Sequence, residues 1–457
     1  MRLRRCSIRA RALAGALVVS SIVLTPGAVG ASARTVTVCE EGPPACDFAS
    51  IQDAVAAVAD GDSIRVAPGS YEGDVVVDKS IRVLGSGKEE TTLTDAQAAV
   101  TIRADERVVI RDLTINGASD TAIVNEGVLV LTDVTLSENG LTDGGPAAGV
   151  INHGRATLSG VTIRDSGPGA GFPSVGGIEN DGTLTMRDSA VVDNNGGRAG
   201  IENAGSALII RSTFDGNAGM GPANIANSGY LELIESDVAG GVCEVACALA
   251  NDGTALIVDS LVTGNDGLGS FGGPISNVGG SLTISGTTIR GNQGALGSPG
   301  AISNPDGIVT IEDSAITANM SFDGDAAVKN WGTMTIRRSE VSDNPAGGGI
   351  ENNGTLTLRR STIELNTNAD SFSGGGGVHN LGTLDVRRSR LADNTAAGVG
   401  GGLFNEGSAA FKGSVITGNT AVEGQNGTFG GGIYNTGDLT LRHTQVIGNI
   451  PDDCFGC

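Results

Sequence analysis

Arg337, Arg359, Arg387, Lys412 and Arg442 stand at one position of five successive copies of an internal repeat, and Arg338, Arg360 and Arg388 adjoin the first three. Guanidinium groups present planar donor forks that match a carboxylate or a phosphate. A column of them is a candidate binding strip for an anionic polymer, such as a uronate or teichoic-type polysaccharide. The competing reading is a solvated ladder whose cations pair with Glu340, Glu364, Asp385, Asp343 and Asp393, because stacked arginines without partners repel. Beyond residue 33 the chain also holds six cysteines in three tight local pairs, Cys39 with Cys46, Cys243 with Cys247 and Cys454 with Cys457. Each spacing suits a small disulfide-closed loop in an oxidising compartment. A redox centre at the "CFGC" of residues 454–457 would need a strand–helix–strand surround that the sequence lacks, and no second Cys or His pair supplies zinc spacing. No metal and no cofactor is expected.

The cations form a column only if the repeat stacks. Thirteen asparagines mark the copies: Asn125, Asn152, Asn180, Asn203, Asn227, Asn251, Asn277, Asn304, Asn330, Asn352, Asn380, Asn405 and Asn435. A second marker follows fourteen residues later, as at Asn194, Asn344, Asn366 and Asn419, or fifteen at Asn292 and Asn319; Ser166 and Gly241 replace it in two copies. All length variation falls between the second asparagine and the next first one, so one part of each unit is fixed by its neighbours and the other hangs outside.

The fixed part reads N-x-G-T-L-T-(L/I)-R-R-S-x-(I/V)-x-x-N. Leu356 and Leu358 alternate with Thr355, Thr357 and Arg359, the period of a strand with one apolar face. A second short strand carries Ile363, and a third, "GGGI" or "GGGV", precedes the first asparagine. Three such strands cannot pair with one another around so tight a turn, but they can pair with their equivalents in neighbouring units. The expected fold is all-β: a right-handed parallel coil with three short strands per rung, rungs about 4.8 Å apart, and Leu356 stacked between Met334 and Leu384. A left-handed hexapeptide coil is excluded, since intervals of 22 to 30 residues have no six-residue period. The asparagines are expected at corners, tolerating left-handed backbone and bonding from layer to layer, with the glycine two residues later serving the same bend.

Residues 1–33 read as a secretory signal: five arginines, the apolar run "LAGALVVSSIVL" and a small-residue site at Ala31-Ser32-Ala33. The run is short for a membrane span. Without those five, 24 of the 29 basic residues remain against 51 acidic ones, a net charge of −27. Such a surface repels nucleic acid. Aromatics are 3% and Gly 73 of 457 residues, which suits many thin layers better than one bulky centre. Ahead of the repeats, "FASIQDAVAAVADG" places Ile51, Ala54, Val55 and Val58 on one helical face, with Ser50 and Asp53 as a capping box and Gly61 as the stop. This helix is expected to lie over the open end of the coil.

At this point the sequence resembles known families. "IQDAVAAVADGDSIRVAPGSYEGDVVV" and "IRVLGSG", between Ile51 and Gly87, resemble the opening of the pectin-lyase-like right-handed β-helix superfamily. "GGGIYN", "GGGVHN" and "GGGLFN", with "FDGN" at Phe214 to Asn217 and "ITGN" at Ile416 to Asn419, resemble repeats of polymorphic outer-membrane proteins, without their membrane barrel. The resemblance implies a fold that hosts lyases, hydrolases, esterases and adhesins. Polygalacturonase-like sites would need an N-T-D, a paired aspartate, an H-G and an R-I-K. Here Asn368–Asp370, Asp452-Asp453 and His153-Gly154 are scattered along the coil and R-I-K is absent; His153 reads as an exposed turn residue. The pectate-lyase-like strings "WxDH" and "RxPxxR" are missing, and Trp331, Tyr71, Tyr230 and Tyr434 are all the Trp and Tyr the chain has for the aromatic platforms that sugar-cleaving clefts use.

The sequence therefore divides into a signal (1–33), an N-terminal cap with the first rungs (34–124), the thirteen-copy region (125–449) and a Cys-containing tail (450–457). The expected protein is exported, monomeric and non-catalytic, secreted or at the cell surface, with a binding, adhesive or structural role toward anionic polysaccharide or a cell-surface partner. The alternative is a polysaccharide lyase or glycoside hydrolase.

Overall fold

The computed structural model describes residues 33–457 apart from 95, 141–148, 168–173, 199, 269–271, 323, 371–373 and 425–426; the expected signal lies outside them. Each repeat supplies three strands, for example Ile350–Asn352, Thr355–Arg359 and Thr362–Glu364. Every named strand pairs in parallel with its equivalents one rung away: Met334 opposes Leu356, and Leu356 opposes Leu384, as expected. The first strands build a 16-stranded sheet and the other two a 31-stranded sheet, the latter joined across the corner by the ten-residue strands Arg107–Asn116 and Val128–Ser137. Inward residues such as Leu356, Leu358 and Ile363 are fully buried in one continuous core. Where the sequence suggested three strands, some rungs add a two-residue fourth, as at Thr367–Asn368.

The asparagines do bond from layer to layer. Asn352 Nδ2 donates to Asn380 Oδ1 at 2.7 Å, and Asn380 Nδ2 to Asn405 Oδ1 at 2.7 Å. In the second column Asn366 donates to Asn394 Oδ1 at 3.0 Å and to Val341 O at 2.9 Å. These side chains are wholly buried, so the amide ladder satisfies polar groups that no solvent reaches. Their expected backbone role is not observed. Among the described residues no asparagine has positive φ; the left-handed positions fall on the residue before the buried serine, such as Asp313, Arg338 and Arg360, and on the residue before the second asparagine, such as Asp343 and Asp393. Asn is retained because it carries both a donor and an acceptor along the coil axis. Nor does the glycine two residues on serve a bend: a Cβ at Gly354 would sit 2.2 Å from the carbonyl oxygen of Gly332 in the adjoining rung, so this column is fixed by close approach.

Where Gly241 breaks the second column, Asn224 from the preceding arm fills the gap. It accepts from Asn217 Nδ2 at 2.7 Å and donates to Asn265 Oδ1 at 3.0 Å. A third buried column, of serines, was not anticipated. Ser339 Oγ donates to Arg337 O at 2.9 Å and accepts from Ser314 N–H at 3.1 Å, and Ser361 and Ser389 repeat this pattern.

At the N-terminal side the strand β1 (Thr35–Val38) pairs with β2 (Ser63–Val66). Its outer edge bonds to the 42–48 loop: Thr37 O accepts from Asp47 and Phe48 N–H, and Thr37 N–H donates to the Asp47 carboxylate. The Cys39–Cys46 disulfide closes that loop. The helix α1 (Ile51–Ala57) buries Ile51, Ala54 and Val55, and Ser50 Oγ accepts from Asp53 N–H at 3.0 Å. It ends earlier than expected, at a Val58 cap whose N–H donates to Ala54 O, while Gly61 (φ 88°) sits in the following turn. Gln52 Oε1 accepts from Val76 N–H on the first strand of the 16-stranded sheet.

Candidate functional site

The cationic column forms where the strand Thr355–Arg359 and its equivalents run into a corner. Arg337, Arg359, Arg387, Lys412 and Arg442 end these strands on the outward face, each opposite the next. Beyond them Arg338, Arg360 and Arg388 take φ values of 51°, 53° and 52°. The next residue is the buried serine, whose hydroxyl donates to the carbonyl two residues back. Strand end, left-handed corner and buried serine together turn both side chains of each rung outward.

Arg337, Arg338, Arg359, Arg360, Arg387, Arg388, Lys412, Gly413 and His443 line one open depression of about 520 Å³. The structure thus brings together seven of the eight predicted strip residues and leaves Arg442 outside the lining. His443, missed in the sequence, occupies the same left-handed position (φ 49°) as Arg338, Arg360 and Arg388, so its place in the repeat was the available signal.

The ion pairs are fewer than the ladder reading requires. Arg337 and Arg338 pair with Glu312, and Arg338 also grips Asp313 through two bonds of 2.7 Å. That contact holds the Asp313 carboxyl below its ordinary range and raises Arg338. Asp385 pairs with Arg387 at 2.9 Å. Glu364 and Asp393, proposed as partners from the sequence, are instead engaged by Arg390. Arg359, Arg360, Arg388, Lys412 and Arg442 enter no ion pair among the described residues. Two such charges about 5 Å apart repel by roughly 0.8 kcal/mol even in bulk water.

The other sequence candidates do not converge. His153 is exposed, with Nδ1 2.9 Å from Asp181 in the next rung. Asp370 stands eight rungs away, roughly 38 Å at sheet spacing. Asn368 Nδ2 donates to Gly374 O. Asp452 accepts from Gly430 N–H, and Asp453 from Asn449 N–H and Nδ2, so these two acids hold the tail against the last rung. Among the described residues no cluster of three or more His, Cys, Asp or Glu is arranged to hold a metal ion. All three cysteine pairs are disulfides. Of the Trp and Tyr side chains, Tyr434 joins an aromatic ladder with His379, Phe404 and Phe455.

Residues 274–450 match the family model described as right handed beta helix region. The chain is a right-handed parallel β-helix. No curated protein matches it. Among solved structures, this β-helix is similar to a mannuronic acid specific polysaccharide family 6 lyase from human gut microbiota, at 10% identity and TM-score 0.34 over 89% of this chain and 82% of that one. It is also similar to the A-module of a mannuronan C-5 epimerase of Azotobacter vinelandii, at 15% identity and TM-score 0.26 over 88% and 94%. The catalytic domain of a GH87 alpha-1,3-glucanase aligns at 11% identity and TM-score 0.33 over 95% and 69%. Among the described residues no helix is long and apolar enough to cross a membrane.

Proposed function

We propose that this β-helix is an exported, non-catalytic binding protein that holds an acidic polysaccharide, its carboxylates or phosphates lying along the strip from Arg337 to Lys412. The observation that carries this reading is the use of arginine at three successive left-handed corners. Elsewhere the same corner holds Asp, as at Asp188, Asp259 and Asp313, Gly, as at Gly286 and Gly413, or a lone larger side chain, Arg211, Glu235 or His443, of which Arg211 pairs with Asp188. Asp and Gly accept such a backbone cheaply, whereas a long side chain there costs about 1–2 kcal/mol. Arg360 and Arg388 recover none of that through ion pairs among the described residues. An anionic partner supplies what the fold does not, two guanidinium forks per rung at a spacing fixed by the sheet. The three disulfides fit a secreted or cell-surface setting.

Retention of the purified protein on immobilised polyuronate, titrated with salt, tests this reading. Arg359→Ala with Arg387→Ala should abolish retention, and assays for unsaturated or reducing ends should show no chain cleavage. Unchanged retention in the double variant refutes the strip, and release of new ends refutes the non-catalytic role.

A further inference from the structure

We propose that two copies of this chain associate tail to tail through the strand Asp438–Arg442, pairing antiparallel about a two-fold axis at Thr440. The two sides of the coil differ in how they finish. At β1 the inward residues Val36 and Val38 are 0% exposed, and the outer edge is hydrogen-bonded to the disulfide-closed loop. In the last rung the inward Leu441 is 37% exposed, although Phe411 directly before it in the column is at 1% and Val386 at 0%. Leu439 and Val446 are likewise only partly buried. Among the described residues, no strand pairs with the far edge of Asp438–Arg442 or of Gln445–Ile447. An open apolar edge of this kind attracts another strand.

The sequence of that edge selects its own copy. Asp438 N–H donates to Gly407 O, and Arg442 O accepts from Gly413 N–H, so the even-numbered residues turn their main-chain groups back into the sheet. Leu439 and Leu441, by strand alternation, turn theirs toward the open side. With a two-fold at Thr440, Leu439 of each copy faces Leu441 of the other as a hydrogen-bonded pair, making four main-chain bonds. Asp438 then faces Arg442 of the second copy at a non-hydrogen-bonded position, where Cα atoms approach to about 4.5 Å. Neither side chain has an ion-pair partner among the described residues. The leucines of each copy also cover the open core of the other, and the contact closes on itself without propagating. Such a dimer replaces the monomer expected from the sequence, and it assigns Arg442, which lies outside the cationic depression, to the contact.

Sedimentation equilibrium of the purified protein across a hundredfold concentration range tests the proposal. The wild type should dissociate from dimer to monomer on dilution. Asp438→Arg and Arg442→Asp should each weaken association by about tenfold, and the two together should restore it. Both side chains are exposed, so circular dichroism should be unchanged. Amide exchange in the wild type gives an independent measure: Leu439 and Leu441 should gain protection as concentration rises, whereas Thr440 should be protected throughout. A monomer at every concentration, growth beyond two copies, or a double variant no better than the single ones would overturn the proposal. Arg359→Ala with Arg387→Ala should leave the dimer intact, which separates this outcome from that of the strip.

Discussion

Replacing Arg360 by asparagine should make the protein more stable and its binding weaker. The corner at φ 53° costs a long side chain about 1–2 kcal/mol, most of which Asn avoids. The change also removes a charge stacked between Arg338 and Arg388, for a few tenths of a kcal/mol more. No ion pair is lost in return, because Arg360 is exposed and pairs with no acid among the described residues. The net gain is about 1 kcal/mol, and Arg388→Asn should behave alike. Arg338→Asn is the internal control: it relieves the same corner but breaks the two-bond contact to Asp313, an exposed pair worth roughly 0.2–1 kcal/mol, so its effect should be near zero. Urea denaturation at constant slope measures the order Arg360→Asn ≈ Arg388→Asn > Arg338→Asn. Retention on polyuronate should fall in all three. A lower urea midpoint for Arg360→Asn would show that the arginine is placed for stability, and the functional argument from the corner would then fail.

Asn366→Ala should destabilise the protein by about 3–5 kcal/mol, since it strands the buried Asn344 and Asn394 amides and Val341 O, whereas Asn435→Ala at the half-exposed end of its column should cost about 1; matched urea midpoints check the contrast. Burial, then the neighbouring Glu202, raises Glu179 above the usual carboxylate range, so its ionisation opposes folding once pH passes the unfolded value and fully so above the raised folded one. Glu179→Gln should therefore stabilise at pH 7 and make no difference below pH ~4, a gain that thermal melts at the two pH values would detect or deny. Polyuronate retention should rise from about 0.01 to 0.1 M salt, as remote acidic groups are screened, and fall toward 1 M as the strip contacts weaken; a steady decline from the lowest salt would show that the acidic body does not oppose binding.

The stacking axis was legible because it leaves a fixed interval in the sequence. A fourteen-residue separation between asparagines survives only if both are held by neighbouring rungs, and the Met334, Leu356 and Leu384 column followed from it. Backbone conformation was harder to read. Asparagine is a known left-handed residue, so assigning it to the corner was reasonable, yet the coil needs its paired donor and acceptor more than its tolerance of positive φ. The corners went to the residue ahead of the serine, where Asp in some copies was the overlooked signal. Asn224 could not be found from spacing, because it enters the second column from a variable arm. The strip was visible as a column, but its partners were not: Glu312 and Asp313 lie in the preceding copy, and Arg390 takes the acids that sequence proximity offered to Arg359 and Arg387.

A coil of this kind makes position within a repeat equivalent to position in space, and so permits a charge pattern that the rest of the surface contradicts. With a net of −22 over the whole chain, an anionic polymer is repelled until it lies within a Debye length of the strip, about 10 Å at 0.1 M salt. Attraction must then come from contact, and contact favours cations that are already in place. The buried amide columns fix the rungs that carry Arg359 and Arg387, and the serine column fixes the turn that aims Arg360 and Arg388, so their spacing is set on folding and little ordering of the backbone remains for binding. On the proposed reading the acidic body selects against ligands that touch fewer than several rungs, because a short anion gains one or two guanidinium forks against the same repulsion. On that reading, a strip three rung steps long, about 14 Å, is matched to a polymer rather than to a small anion.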